Sequence, residues 1–302
     1  MTTYHVRHRT TYAYSQPVEI GHSAGHLTPR NTPAQRVQSS TLVVTPQPGV
    51  MTRRGDYFGN TVTFFTVQER HEEVVVDSDA VVALDAAARP IEEGGPAWED
   101  VAAALPKDRS GVGIDAYQYA FDSPFVRRGA ALRDYALQSF TPARPIVDAL
   151  RDLTGRIHRD FHYDPRTTTI ATPLEEVFAQ RSGVCQDFAH VQLAMLRSLG
   201  LAARYVSGYL YNPPRAQATA RPTPPPPGEQ LVGADASHAW LSLYCGAAGW
   251  VDADPTNNTL PGARHLTVAW GRDYADVTPL RGVILGGGSH TVTVAVAVAL
   301  AG

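Results

Sequence analysis

Two hydrophobic rhythms divide this chain. Up to about residue 90 the apolar positions come in short runs rich in Thr, Tyr and Val, set apart by turn residues. Tyr4 to Tyr14, Ser40 to Thr45, Thr61 to Gln68 and Glu73 to Leu84 read as strands, and Asp56-Tyr-Phe-Gly-Asn60 reads as a turn. Strands this closely punctuated predict a β-rich, sandwich-like N-terminal domain over residues 1–95. From residue 96 the rhythm becomes mixed. Asp115 to Phe121 and Gly129 to Gln138 are helix candidates. Pro145 opens a clearer helix whose apolar residues Ile146, Leu150, Leu153, Ile157 and Phe161 form one stripe. That stripe reads as core packing. Thr172-Pro-Leu-Glu175 has the form of a capping box ahead of a short helix. A second helix runs from Cys185 to Leu199 and stops at Gly200, with Phe188, Val191, Met195 and Leu199 on one face. Ala203 to Leu210, His238 to Tyr244, Trp250 to Asp254 and Val292 to Ala301 read as strands. The class is therefore α+β, with residues 96–302 forming a helical segment, a core and C-terminal strands.

Length and composition narrow the function. At 302 residues, of which 43% are hydrophobic, the chain has room for two domains and sizeable cores. Its formal charge is −3, and its basic residues, all arginine except Lys107, are scattered, which argues against a nucleic-acid partner. Met1 to Arg9 carries no signal-type apolar run, and the longest apolar stretch, Val292 to Ala301, is too short to span a bilayer. A soluble, cytoplasmic protein without a membrane partner is expected, with its oligomeric state open. Two cysteines, Cys185 and Cys245, cannot build a disulfide framework or a four-cysteine zinc site. His22 and His26, four apart in a loop-like stretch, read as hydrogen-bonded or surface histidines rather than a metal pair. Asp252 to Asn257 lacks the glycine and distant glutamate of a calcium loop. No metal and no organic cofactor is called for.

The candidate chemistry starts at Cys185. It stands at the start of a helix, where free N–H groups and the positive end of the dipole favour a thiolate. A single cysteine is more often an inert core residue, so position alone does not decide. A hairpin centred on Gly246 would set His238 opposite Asp254 and Trp240 opposite Asp252, on one face. A cross-strand His–Asp pair is ordinarily a structural ion pair. With a helix-start cysteine in the same region it becomes the base and orienter of a nucleophilic triad. Asp252, on the same face, is the fallback orienter, and a one-residue slip would turn Asp254 away. Cys245, in the hairpin turn, reads as incidental.

Arg181-Ser-Gly-Val-Cys-Gln-Asp-Phe-Ala-His190, Ala202-Ala-Arg-Tyr-Val-Ser-Gly-Tyr209, Ser237-His-Ala-Trp240 and Gly249-Trp-Val-Asp-Ala-Asp-Pro-Thr-Asn257 follow one another in this order. Together they resemble the bacterial transglutaminase-like superfamily, with core motifs over 145–260. Tyr4 to Tyr14, His22 to Arg30 and Asp56 to Asn60 resemble the region that precedes this core in bacterial members, and Gly271-Arg-Asp-Tyr-Ala-Asp-Val-Thr-Pro-Leu-Arg-Gly282 resembles its tail. The resemblance implies a papain-like, transglutaminase-like core: a cysteine on a helix N-terminus, packed on an antiparallel sheet that carries histidine and aspartate. It implies Cys185 as nucleophile, His238 as base and Asp254 as orienter. One departure stands out. The animal cross-linking enzymes place an oxyanion-stabilising tryptophan before the cysteine, and no tryptophan lies between Trp98 and Cys185 here. The hydroxyl of Tyr163 is the candidate donor in its place.

The expected activity is cysteine-dependent acyl transfer on the amide of a peptide or protein substrate through a thioester, with water as acceptor. The alternatives are transfer from glutamine to an amine, and a non-catalytic binding or scaffold protein on the same fold. The Pro-rich stretch from Pro213 to Gln230 is expected to border the cleft and gate substrate.

Overall fold

The computed structural model describes residues 1–88, 93–213, 232–233 and 237–301. The first region is built on an unusually long strand, β1 (Thr2–Gly25). It is followed by β2 (Gln35–Thr45), β3 (Val50–Gly55), β4 (Thr61–Val67) and β5 (His71–Leu84). A helical stretch comes next: α1 (Trp98–Ala104), α2 (Gly111–Tyr117), α3 (Ala130–Leu137) and α4 (Ile146–Asp160). Then come β6 (His162–Tyr163), α5 (Leu174–Gln180), β7 (Ser182–Gly183), α6 (Cys185–Ser198), β8 (Ala203–Leu210), β9 (His238–Tyr244), β10 (Trp250–Ala253), β11 (His265–Gly271), α7 (Tyr274–Val277), β12 (Leu280–Gly286) and β13 (His290–Leu300). The class is α+β.

Seven strands make the large sheet, arranged as four long ribbons. β1 runs between β13 and β12 on one side and β5 and β4 on the other; β2 flanks β5 and β3 flanks β4. Alternate residues of β1, namely Tyr4, Val6, His8 and Thr10, point inward and are buried. One half of the sheet packs on the core through Tyr4, Val6, Ala80 and Val82. The other half closes over its own cluster of Leu42, Val44, Phe65, Val67, Val74 and Val76. The stretch around His22, expected to be loop, is part of β1. There His22 bonds Thr66, while His26 sits between the Thr278 carbonyl and Asp56. The C-terminal strands β12 and β13 belong to this sheet through β1, although they follow the core in sequence.

The core holds a four-stranded antiparallel sheet in the order β10-β9-β8-β11, with α6 packed on it. Every residue of β8 and β9 is buried. The α4 stripe of Ile146, Leu150, Leu153, Ile157 and Phe161 packs beside α6 in the same cluster, as its periodicity requires. Two side-chain amides finish the outer edge of β11, each pairing with a backbone N–H and a carbonyl as a neighbouring strand would. Gln35 accepts from Thr267 N at 2.8 Å and donates to Thr267 O at 2.7 Å. Asn60 accepts from Trp270 N at 3.0 Å and donates to Trp270 O at 2.8 Å. They lock the first region onto the core sheet.

Two local expectations are corrected. The capping box at Thr172 is not made. α5 begins at Leu174 behind Pro173, and the Thr172 hydroxyl accepts from Thr169 N instead. The hairpin register is centred on Ala247, not Gly246. A single helical turn at Gly246–Ala248, closed by Cys245 N on Gly249 O at 2.7 Å, sits in the bend, and Asp252 pairs with Ser242. Asp254 therefore lies diagonally from His238 rather than directly across. The shift is even, so both stay on one face. Among the described residues no helix is long and apolar enough to cross a membrane.

Candidate active site

Cys185 is the first residue of α6, placed there by the two short strands ahead of it. β6 pairs in parallel with β7, setting Tyr163 beside Gly183. The chain then turns through Val184, whose N–H donates to Asp187 Oδ2 at 2.9 Å; Thr168 donates to the same oxygen at 2.6 Å. Asp187 thus caps the helix from within its first turn, and burial raises its pKa. Gly183 has no alternative here, because a Cβ on it would come within 2.5 Å of Asp187 Oδ2. The Cys185 side chain is partly exposed at the helix end, where the amides of the first turn point outward. Cys245 differs on each count: it is fully buried, its sulfur lies 3.6 Å from the Leu243 carbonyl, and burial pushes its thiol up to about 12.

His238 opens β9 and Asp254 follows β10. His238 Nε2 donates to Asp254 Oδ2 at 2.8 Å, and neither side chain is exposed to solvent. Burial by itself would lower the His238 pKa. The charges of Asp254 and Cys185, and hydrogen bonds to both, outweigh it and hold the ring raised to about 10. With Nε2 committed to Asp254, Nδ1 is the nitrogen left for the thiol, and it has no other partner among the described residues. Gly233, at φ +91°, lies against this nitrogen; a Cβ there would stand 2.8 Å from Nδ1. Trp240 stacks on the His238 ring at 6.2 Å and donates Nε1–H to Asp252 at 3.2 Å. The indole thus occupies Asp252, which is not the partner of His238.

The Asp254 carboxylate is crowded with donors. Oδ1 accepts from the backbone N–H of Thr256 at 3.0 Å and of Asn257 at 3.2 Å. Oδ2 accepts from His238, from Asn257 Nδ2 at 2.8 Å and from His265 Nε2 at 3.0 Å. Burial would raise this carboxyl, but the His238 charge and the hydrogen bonds from both histidines hold it well below the usual carboxylate range. His238, Asp254 and His265 offer ligand atoms within 4.8 Å of one another, the spacing of a metal site. The three N–H donors converging on Oδ2 make it a closed hydrogen-bond cluster instead. Two tyrosines approach Cys185. Tyr163, half-buried, is raised by burial and by the nearby sulfur; Tyr205, fully buried, is raised well above its ordinary value by the same causes.

The structure thus gathers Cys185, His238, Asp254 and Tyr163 into one site. Asn257, Gly233, Tyr205 and His265 join it without having been singled out for a role. Asn257 was visible in the Asp-Pro-Thr-Asn run, whose aspartate-led turn explains its N–H on Oδ1. His265 has no sequence neighbour to announce it. The stretch expected to gate the cleft lies, from residue 214 to 230, outside the described residues.

A model of the bacterial transglutaminase-like N-terminal region matches residues 4–83, and a model of the transglutaminase-like superfamily matches residues 133–255. An uncharacterized protein of Mycobacterium tuberculosis is 40% identical over 294 residues, spanning 96% of this chain and 90% of its own. The chain belongs to the transglutaminase-like superfamily. A second relative, an uncharacterized protein of Mycobacterium leprae, is 32% identical over 291 residues, 96% of each chain. The fold matches the crystal structure of a candidate cysteine protease from Cytophaga hutchinsonii with a TM-score of 0.74 at 21% identity, covering 99% of this chain and 90% of that one.

Proposed function

We propose that this transglutaminase-like protein is a cysteine-dependent acyltransferase that cleaves amide bonds through a thioester, with water as the usual acceptor. The observation that carries the reading is the buried 2.8 Å bond from His238 Nε2 to Asp254, which leaves Nδ1 facing a cysteine at a helix start. His238 Nδ1 takes the Cys185 proton, and the thiolate sulfur attacks the amide carbonyl carbon. The Cys185 N–H, with the Tyr163 hydroxyl beside it, receives the oxyanion that forms. The imidazolium then gives its proton to the leaving nitrogen, the C–N bond breaks, and a thioester remains. Water, deprotonated by His238, attacks the thioester and releases the acid and the free thiol. Asp254 fixes the Nε2–H tautomer and stabilises the imidazolium at each stage.

A second reading, transfer to an amine, is favoured by a relative: a protein-glutamine gamma-glutamyltransferase of Pseudomonas aeruginosa is 27% identical over 133 residues, covering 39% of this chain and 19% of its own. One experiment separates the two. A library of glutamine-containing peptides is incubated with the protein, with and without an added primary amine, and read by mass spectrometry with Cys185→Ala as control. Backbone cleavage or deamidation that is indifferent to the amine supports hydrolysis. Incorporation of the amine supports transfer. No Cys185-dependent mass change sinks both.

A further inference from the structure

Asp254 serves two histidines with a single oxygen. His238 and His265 both reach Oδ2, at 2.8 and 3.0 Å, from two different strands, and all three side chains are at most 4% exposed. The remaining donors to the carboxylate, the N–H groups of Thr256 and Asn257 and the Asn257 amide, come from its own turn. Apart from His238 itself, His265 is thus the described donor that fixes the carboxylate from outside that turn. It opens β11, opposite Leu210 of β8. Its ring packs edge-on against Trp240 at 5.2 Å, the same indole that stacks on His238.

We propose that His265 is a positioning residue: by donating Nε2–H to Asp254 Oδ2 it ties the carboxylate to the core sheet and holds Oδ2 where His238 needs it. This rests on the thiol-activating role of His238 given above. An aspartate side chain turns easily about its last torsion, and a carboxylate swung away would leave the His238 imidazolium without its partner. Among the described residues the buried Nδ1 of His265 has no partner, which fits a neutral ring, since a protonated one would strand an N–H donor there. Burial lowers the His265 pKa against the pull of Asp254; the other charged groups acting on it are His238 and Asp252. The positive charge of the cluster accordingly stays on His238, which faces Asp254 and Cys185.

The test reads Cys185 rather than a substrate. The rate of Cys185 alkylation by iodoacetamide is followed against pH in the full chain, in His265→Leu, in His265→Gln and in His238→Ala. Expected is an acid limb that moves up by about one pH unit in His265→Leu, with about tenfold slower alkylation at pH 6, the size of one hydrogen bond to a charged group. His265→Gln, which keeps an N–H donor, should return to within about threefold of the parent by the same measure. An acid limb that stays in place or moves down in His265→Leu, or Leu and Gln behaving alike, overturns the inference. If His238→Ala leaves the parent profile unchanged, the thiol-activating reading itself falls, and that result is distinct. A second arm guards against a folding defect. His265 lines a cavity of about 580 Å³ that also borders Arg204, Trp250 and Trp270. In His265→Ala, added imidazole should enter by that route and restore the alkylation rate at pH 6, while thiophene, a ring of like size without an N–H, should not. Restoration by both, or by neither, overturns the proposal.

Discussion

The two sheets of this protein treat water in opposite ways. In β8 and β9 every residue is buried, whereas all of β3 and most of β13 are exposed. On the open sheet, charges can pair or not at small cost. His5 with Asp79 and Arg9 with Asp77 meet at the surface, where such pairs contribute little. On the closed sheet a charge without partners would cost several kcal/mol, and the charges kept there are correspondingly furnished. Asp254 takes five donors, and Arg204 lies between the rings of Trp250 and Trp270 at 4.0 and 3.6 Å. The lesson is that the reactive groups sit where their surroundings are most fully specified.

The sharpest way to break the contrast is to remove each cysteine. Cys185→Ala should reduce Cys185-dependent amide turnover by about a thousandfold or more, while Cys245→Ala should leave turnover within about twofold, since no reacting group depends on it. Mass-spectrometric turnover of one responsive peptide checks both. Asp254→Ala comes next. It removes the partner of the buried His238 and leaves the Thr256, Asn257 and His265 donors without their acceptor, and should lower unfolding free energy by about 3–5 kcal/mol in urea titration, against less than about 1 kcal/mol for Asp77→Ala on the open one.

Solution pH probes the same asymmetry. His238 is held raised to about 10 from 6.5, so the stability it contributes is complete below pH 6.5 and is lost as pH climbs toward about 10. His8 and His190 are pushed down by burial, to about 4 and about 3, with the Arg197 charge also lowering His190; they withdraw stability as pH falls below 6.5. The urea midpoint should therefore peak near pH 6.5, and His238→Gln should flatten its alkaline side. A midpoint that rises from pH 6.5 to 9 in the parent would contradict this.

Gly233→Ala should slow turnover about tenfold with little change in fold, because its Cβ would crowd His238 Nδ1 at 2.8 Å from a backbone at φ +91°. Val294→Thr, on the exposed strand β13, should move stability by no more than about 0.5 kcal/mol. A larger loss would show that this edge is covered in solution.

What the sequence disclosed follows from the range of each signal. α4 and α6 were legible because their apolar stripes are local and continuous. Asp254 was legible on the face of His238 because parity survives an even register error; its diagonal offset was not, since the helical turn at Gly246–Ala248 leaves no mark in a glycine- and alanine-rich bend. The cap at α5 failed by one residue, where Pro173 took the position before the helix. β11 and its His265 stayed hidden because a lone histidine joins this site only through a strand pairing to residues more than fifty positions earlier. The partnership of β1 with β12 and β13 spans nearly the whole chain, beyond any local pattern.

Tyr4 stands opposite Leu300, and Ala301 N donates to Thr3 O at 2.9 Å. β1 therefore waits for β13 to seal its flank. Any folding intermediate that lacks β13 carries an open seam along β1, the costly long-range closure that slows folding. A rearranged gene that joins β13 directly to β1 through a short turn would present the two as one hairpin and close that seam early.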